Sequence, residues 1–208
     1  MRRIVSCVLA LALCAISARG QTPEEIISRM SAELEKYNSN RVAMTIEMTL
    51  PIVGKVSSKS YAIGEKVRLD ATIKGITVST WSDGVTVWTY NPESNEVGIS
   101  SAAAGSGVES NGDMGMFNDI TEGYAVTIES QTPDSWYLKC KKTKQNKSKD
   151  APKTMDLVVA KGSYFPKSLG FKVKGIPVTM KDISFNVAES QVIFNMADYP
   201  GAKVVDKR

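Results

Sequence analysis

Apolar and polar residues change period twice along the chain, and each change marks a predicted element. Thr22-Pro23-Glu24-Glu25 is a capping box with proline at the first helical position, which predicts a helix start. Ile26, Ile27, Met30, Leu34 and Tyr37 then recur at helical spacing and form one apolar stripe on a helix ending near Asn38. From Arg41 to Leu50 the period drops to two: Val42, Met44, Ile46, Met48 and Leu50 face one way, and Ala43, Thr45, Glu47 and Thr49 the other. Further strands are predicted over 57–63, 66–73, 76–82, 85–91, 95–101, 124–130, 135–142, 153–160, 168–174, 178–187 and 191–196, with turn residues between nearly all of them.

The stretch WSDGVTVWTYNPESNEV, residues 81–97, carries two of those turns. Asp83-Gly84 supplies the positive φ angles of a two-residue hairpin turn, and Asn91-Pro92 stops the strand that follows. A second hairpin is expected through Glu93 to Asn95. Residues 102–113 form a Gly/Ser-rich loop, and 113–122 place Met114, Met116, Phe117 and Ile120 around a short helical turn. So many short alternating strands, with no linker between them, predict an α+β, mainly β domain. It is one large curled antiparallel sheet or incomplete barrel with an amphipathic helix that must lie on it.

The first twenty residues differ in kind. Arg2 and Arg3, an apolar run from Ile4 to Ala18, and Ala18-Arg19-Gly20 read as a secretory leader, leaving 21–208 as the exported domain. A lipidation site is not matched: Cys14 follows Leu13, and Cys7 stands too close to the arginines to leave room for an apolar region. Removing the leader takes away Arg2, Arg3 and Arg19 and no acid, so the formal charge falls from +4 to +1 and nucleic acid is not an implied partner.

Of the three cysteines only Cys140 lies beyond the leader, in step with Trp136 and Leu138, which predicts a buried, inert thiol. The chain contains no histidine, which removes Ser-His-Asp and Cys-His mechanisms and the usual imidazole zinc sites together. The acids are dispersed singly, and the glycines at 105 and 107 lack the Lys-Ser/Thr of a phosphate loop. The reading is a non-enzyme without cofactor or metal. Seven lysines between 139 and 153 face a single acid, Asp150; a solvated hairpin loop accounts for them, and attraction to anionic head groups or an acidic partner is the functional alternative.

The order of parts resembles the LolA family, periplasmic carriers of outer-membrane lipoproteins. That family's SDGxxxWxYxP hairpin is matched at Ser82, Asp83, Gly84, Trp88, Tyr90 and Pro92. KVRLD at 66–70 is similar to the strand preceding it, and VIFNMADYPGAKVVD at 192–206 to the family's closing strand and tail. The resemblance implies an incomplete antiparallel β-barrel under a helical lid, enclosing an apolar cavity for lipoprotein acyl chains. It also implies an inner-membrane release complex and an outer-membrane acceptor as partners of a monomeric carrier.

Flexible apolar side chains suit cargo that must be both held and released. On that ground Met44, Ile46, Met48, Val67, Leu69, Met114, Met116, Phe117 and Ile120 are the expected cavity residues, with ordinary core packing as the competing role. Trp88 and Tyr90 are read as scaffold residues that set sheet register. The family's Arg-Pro lid latch is absent, since the chain reads Ala62-Ile63-Gly64-Glu65-Lys66; Lys66 or Arg68 would have to make it. A periplasmic binding module for another lipid or glycolipid, or for a protein partner as a sensor or structural envelope protein, is the alternative function.

Overall fold

A computed structural model describes residues 20–36, 41–102, 120, 123–149 and 151–208. Twelve strands form one open sheet in the order β12-β6-β5-β4-β3-β2-β1-β11-β10-β9-β8-β7. In chain order they are β1 (Arg41–Leu50), β2 (Gly54–Ile63), β3 (Lys66–Ile73), β4 (Ile76–Ser82), β5 (Thr86–Asn91), β6 (Glu96–Ser101), β7 (Tyr124–Gln131), β8 (Ser135–Lys142), β9 (Thr154–Ala160), β10 (Pro166–Val173), β11 (Ile176–Ser184) and β12 (Lys203–Asp206). All neighbours pair antiparallel except β12, which lies parallel to β6. Helix α1 spans Pro23–Lys36 and the single turn α2 spans Glu189–Val192.

The start of α1 forms as its residues require: Thr22 Oγ1 accepts from the Glu25 amide, and Glu25 Oε2 accepts from the Thr22 amide, each at 3.2 Å. Its stripe of Ile26, Ile27, Met30 and Leu34 is buried against Leu138, Cys140, Leu157, Val159 and Leu169, so the helix covers the half of the sheet made by β7 to β10. Arg29 Nη1 donates to the Tyr164 hydroxyl at 2.8 Å, and Tyr164 stacks on Trp136 at 5.3 Å, which ties the helix to the β9–β10 connection. Ile120 is fully buried in the same cluster. Cys140 is also fully buried, and desolvation pushes its thiol up to about 11.

Cross-strand pairing defines two faces. One row runs Ile46–Met180–Leu169–Leu157–Leu138, which puts the even-numbered residues of β1 on the face that α1 covers. Register shifts interrupt the ladder between β1 and β11, β9 and β10, and β7 and β8; at the first, Asp182 takes a φ of 53°. Such bulges raise local twist, and here they curl the sheet without closing it.

The segment 191–196, expected as a strand, is not one. The chain turns through α2 and crosses the sheet face opposite α1. It then makes a 3-10 turn over Met196–Asp198 before adding β12 at the edge. The reason is physical: Phe194 stacks on Trp88 at 5.4 Å and meets Trp81 edge-on at 5.4 Å, so its apolar side chain is satisfied by packing across strands and not by pairing along one. The helical turn predicted at 113–122, apart from Ile120, and the loop predicted at 102–113, apart from Ala102, lie outside the described residues.

Candidate functional site

The helix face of β1 to β5 carries no Asp, Glu, Lys or Arg. Pairing places Met44, Ile46 and Met48 beside Ser60, Ser58 and Val56, and these beside Leu69, Ala71 and Ile73. Val78, Thr80 and Ser82 continue the rows onto β4, and Val87 and Thr89 onto β5. The opposite face of the same strands holds Arg41, Glu47, Lys55, Lys59, Lys66, Arg68 and Asp70. Period-two alternation has therefore sorted all the charge to one side.

This uncharged face is only partly covered. Val67 is buried with Val42 and Ala62, and Met44 packs against that cluster together with Ile183 and Phe185. Met44, Ile46, Met48 and Leu69 retain intermediate exposure, unlike their equivalents under α1. Of the expected cavity residues, Met44, Ile46, Met48, Val67 and Leu69 thus share one face. Ile120 sits in the core beneath α1, and Met114, Met116 and Phe117 lie outside the described residues. Unbranched or flexible apolar side chains among small Ser, Ala and Thr residues form a surface that an alkyl chain wets well and a charged ligand does not.

The family-type hairpin points the other way. Trp88 and Tyr90 project from the face opposite α1. Tyr90 meets Tyr199 at 4.4 Å, and Tyr199 stacks on Phe194 at 5.7 Å. Desolvation raises the Tyr199 phenol above its ordinary pKa. The hairpin aromatics dock the C-terminal segment as well as each other: Trp81 and Trp88 form a direct cross-strand pair. Asn95, in the β5–β6 turn, accepts from the Lys203 amide at 2.9 Å through its carbonyl and donates from Nδ2 to Gly201 O at 3.2 Å, which guides β12 onto the edge.

Lys66 and Arg68 lie on this opposite face too. Arg68 Nε donates to Asp70 Oδ1 at 2.9 Å, and its guanidinium sits 5.1 Å from the Trp81 ring. Lys66 pairs with Glu189 of α2 at 3.5 Å, beside Arg41, which reaches Glu189 at 2.9 Å and the Val187 carbonyl at 2.6 Å. These cations secure the C-terminal segment; the contact to α1 is made by Arg29 and Tyr164. Phe194, Tyr199, Arg29 and Tyr164 were not singled out from the sequence, because each acts through a neighbour more than a hundred residues away.

At the turn itself, β4 and β5 are joined by three residues and only Gly84 has positive φ, at 91°, so the two-residue turn expected from Asp83-Gly84 is not formed. The Asp83 amide donates to the Thr86 carbonyl at 3.2 Å, and the Asp83 carboxylate accepts from the amides of Thr86 at 2.7 Å and Val85 at 2.9 Å, so its backbone and side chain both close the loop. Those amides hold its pKa below the ordinary 3.8. A depressed folded-state pKa contributes stability above the unfolded value, and that contribution is lost as pH falls through the folded one. Asp83→Ala is expected to cost about 1 kcal/mol at pH 7, discounted for solvent exposure. Urea titrations at descending pH should show the gap from wild type closing below pH 3.8. A gap independent of pH would show that the carboxylate is not the closing group.

Among the described residues, the open curled sheet, helices α1 and α2 and the half-covered uncharged face make a LolA-like fold. No protein-family model matches the sequence, and no curated protein is significantly similar to it in sequence. Among solved structures, the fold is similar to the lipoprotein LppX of Mycobacterium tuberculosis, with a TM-score of 0.50 and 10% identity over 79% of this chain and 97% of LppX. Two others are a conserved protein from Thermus thermophilus (TM-score 0.46, 16% identity, 86% of this chain and 98% of that one) and a LolA superfamily protein from Nitrosomonas europaea (0.33, 11%, 86% and 100%).

Proposed function

We propose that this protein is an exported, periplasmic carrier, its leader cleaved near Gly20, that binds the acyl chains of a lipoprotein and carries them toward the outer membrane. The observation that supports it is the uncharged, partly exposed helix face of β1 to β5, set on a LolA-like fold. Burying a methylene there contributes about 0.8 kcal/mol, and an acylated cysteine presents dozens. The sheet positions the cargo and the half-exposed methionines adapt to it; no covalent chemistry is called for. An inner-membrane release complex and an outer-membrane acceptor complete the route in this reading.

Native mass spectrometry of residues 21–208 with a triacylated lipopeptide tests it, using the deacylated peptide as control. A one-to-one complex that requires the acyl chains is expected. Met44→Glu and Leu69→Glu place a charge on the face, and each, where circular dichroism shows it folded, is expected to weaken binding at least tenfold. Acyl-independent binding, or full binding by both variants, would overturn the proposal.

A further inference from the structure

Four consecutive hairpins bring their tips to one end of the sheet: β3–β4, β1–β2, β10–β11 and β8–β9 are neighbours in the strand order, and each turns at that end. Three of the tips expose apolar side chains: Ile52 is 96% exposed, Val173 46% and Ile73 41%. The fourth is the lysine-rich connection between β8 and β9. Across residues 50–55, 72–77, 141–154 and 171–177 there are ten lysines and one acid, Asp150. Among the other described residues at this end, the β5–β6 hairpin adds Glu93 and Glu96, the latter beside Lys203 at 3.8 Å, and Glu47 of β1 pairs with Lys55 at 3.2 Å.

Two of the tips use the same turn. Ile73-Lys74-Gly75-Ile76 and Val173-Lys174-Gly175-Ile176 lie a hundred residues apart, yet both place lysine and then glycine at positive φ: 51° and 86° in the first, 49° and 86° in the second. Asparagine, aspartate or glycine is the ordinary choice where lysine stands, because a long side chain gains nothing locally from that conformation. A Cβ built at either glycine meets nothing within 4 Å, so both tips project into open space. The turns themselves do not call for lysine.

We infer that this rim docks on an anionic lipid bilayer, with Ile52, Ile73 and Val173 entering the head-group boundary and the flanking lysines on the lipid phosphates. Separated apolar knobs ringed by cations fit a fluid surface, which needs no preformed pockets, better than a rigid protein partner. Among the described residues no helix is long and apolar enough to cross a membrane. The rim meets the acyl-binding face only at Ile73; Ile52 and the lysines lie off that face, and docking does not depend on cargo.

Flotation with vesicles of 30% phosphatidylglycerol in phosphatidylcholine, against pure phosphatidylcholine, tests this with cargo-free residues 21–208. Binding to the anionic vesicles alone is expected, falling at least tenfold between 50 and 500 mM salt. Ile52→Ser and the double variant Lys74→Glu/Lys174→Glu should each weaken it about tenfold, with unchanged circular dichroism and unchanged lipopeptide binding. No binding by the wild type, or binding as strong as the wild type's by both variants, overturns the inference. Loss in the lysine variant with full binding by Ile52→Ser also overturns it, since the bilayer would then be held by charge alone with no apolar side chain entering it. Lipopeptide binding is read separately, so failure of the rim leaves the carrier proposal standing, and the reverse.

Discussion

Trp81→Ala is expected to cost about 3–5 kcal/mol of stability in urea unfolding, the largest loss of any single truncation on the face opposite α1. Trp81 is only 3% exposed, and Phe194, Tyr199 and the Arg68 guanidinium all converge on its ring. A mesophilic domain has about 5–15 kcal/mol in total, so the variant approaches the limit of folding. The loss should also be shared. A double-mutant cycle between Trp81 and Phe194 should return a coupling of about 0.5–1.5 kcal/mol, since the edge-on ring contact exists only with both partners present. In Trp81→Ala, hydrogen exchange should quicken over 189–206 before it does over β7 to β9, because the C-terminal segment is held chiefly by this cluster. A loss under about 1 kcal/mol, or uniform exchange, would mean that the segment is held by its ion pairs and by β12 alone.

The second large effect lies under the helix. Met30 is completely buried among the β7–β10 residues, and Met30→Ala is expected to cost about 2–5 kcal/mol, by lost transfer energy and by the cavity left between helix and sheet. Cys140 gives a direct readout, since its thiol is fully buried in the same cluster and its pKa is raised to about 11. In the native wild type it should resist alkylation at pH 8; in Met30→Ala, labelling should accelerate roughly with the population of the open form. Unchanged labelling beside a normal loss of stability would show that α1 and the sheet open only together, as one unit.

Much of this architecture follows from local rules. The capping box starts α1 where the sequence places it, because both of its bonds lie within four residues. The strands from β1 to β11 appear near their expected positions, since alternation is a property of each strand alone. The grouping of Met44, Ile46, Met48, Val67 and Leu69 on one face was legible for the same reason. Residues 191–196 misled because alternating apolar side chains look alike whether they lie in a ladder or lean across one. At Asp83-Gly84 the turn moved on by one residue: the Asp83 amide bonds the Thr86 carbonyl around Gly84-Val85, and the Asp83 carboxylate adds bonds to the Val85 and Thr86 amides.

By itself, then, the sequence determined period, direction and charge sorting: which residues form strands, which side of each strand is free of charge, and that histidine chemistry is absent. Only the tertiary structure decided what those faces meet. It laid α1 over β7 to β10 and the C-terminal segment over the opposite side of β1 to β6, leaving the uncharged half-face partly open, and it gathered four hairpin tips on one rim. Side-chain alternation is encoded within a few residues, whereas the covering of a sheet depends on contacts between segments more than a hundred residues apart, whose partners no local pattern records.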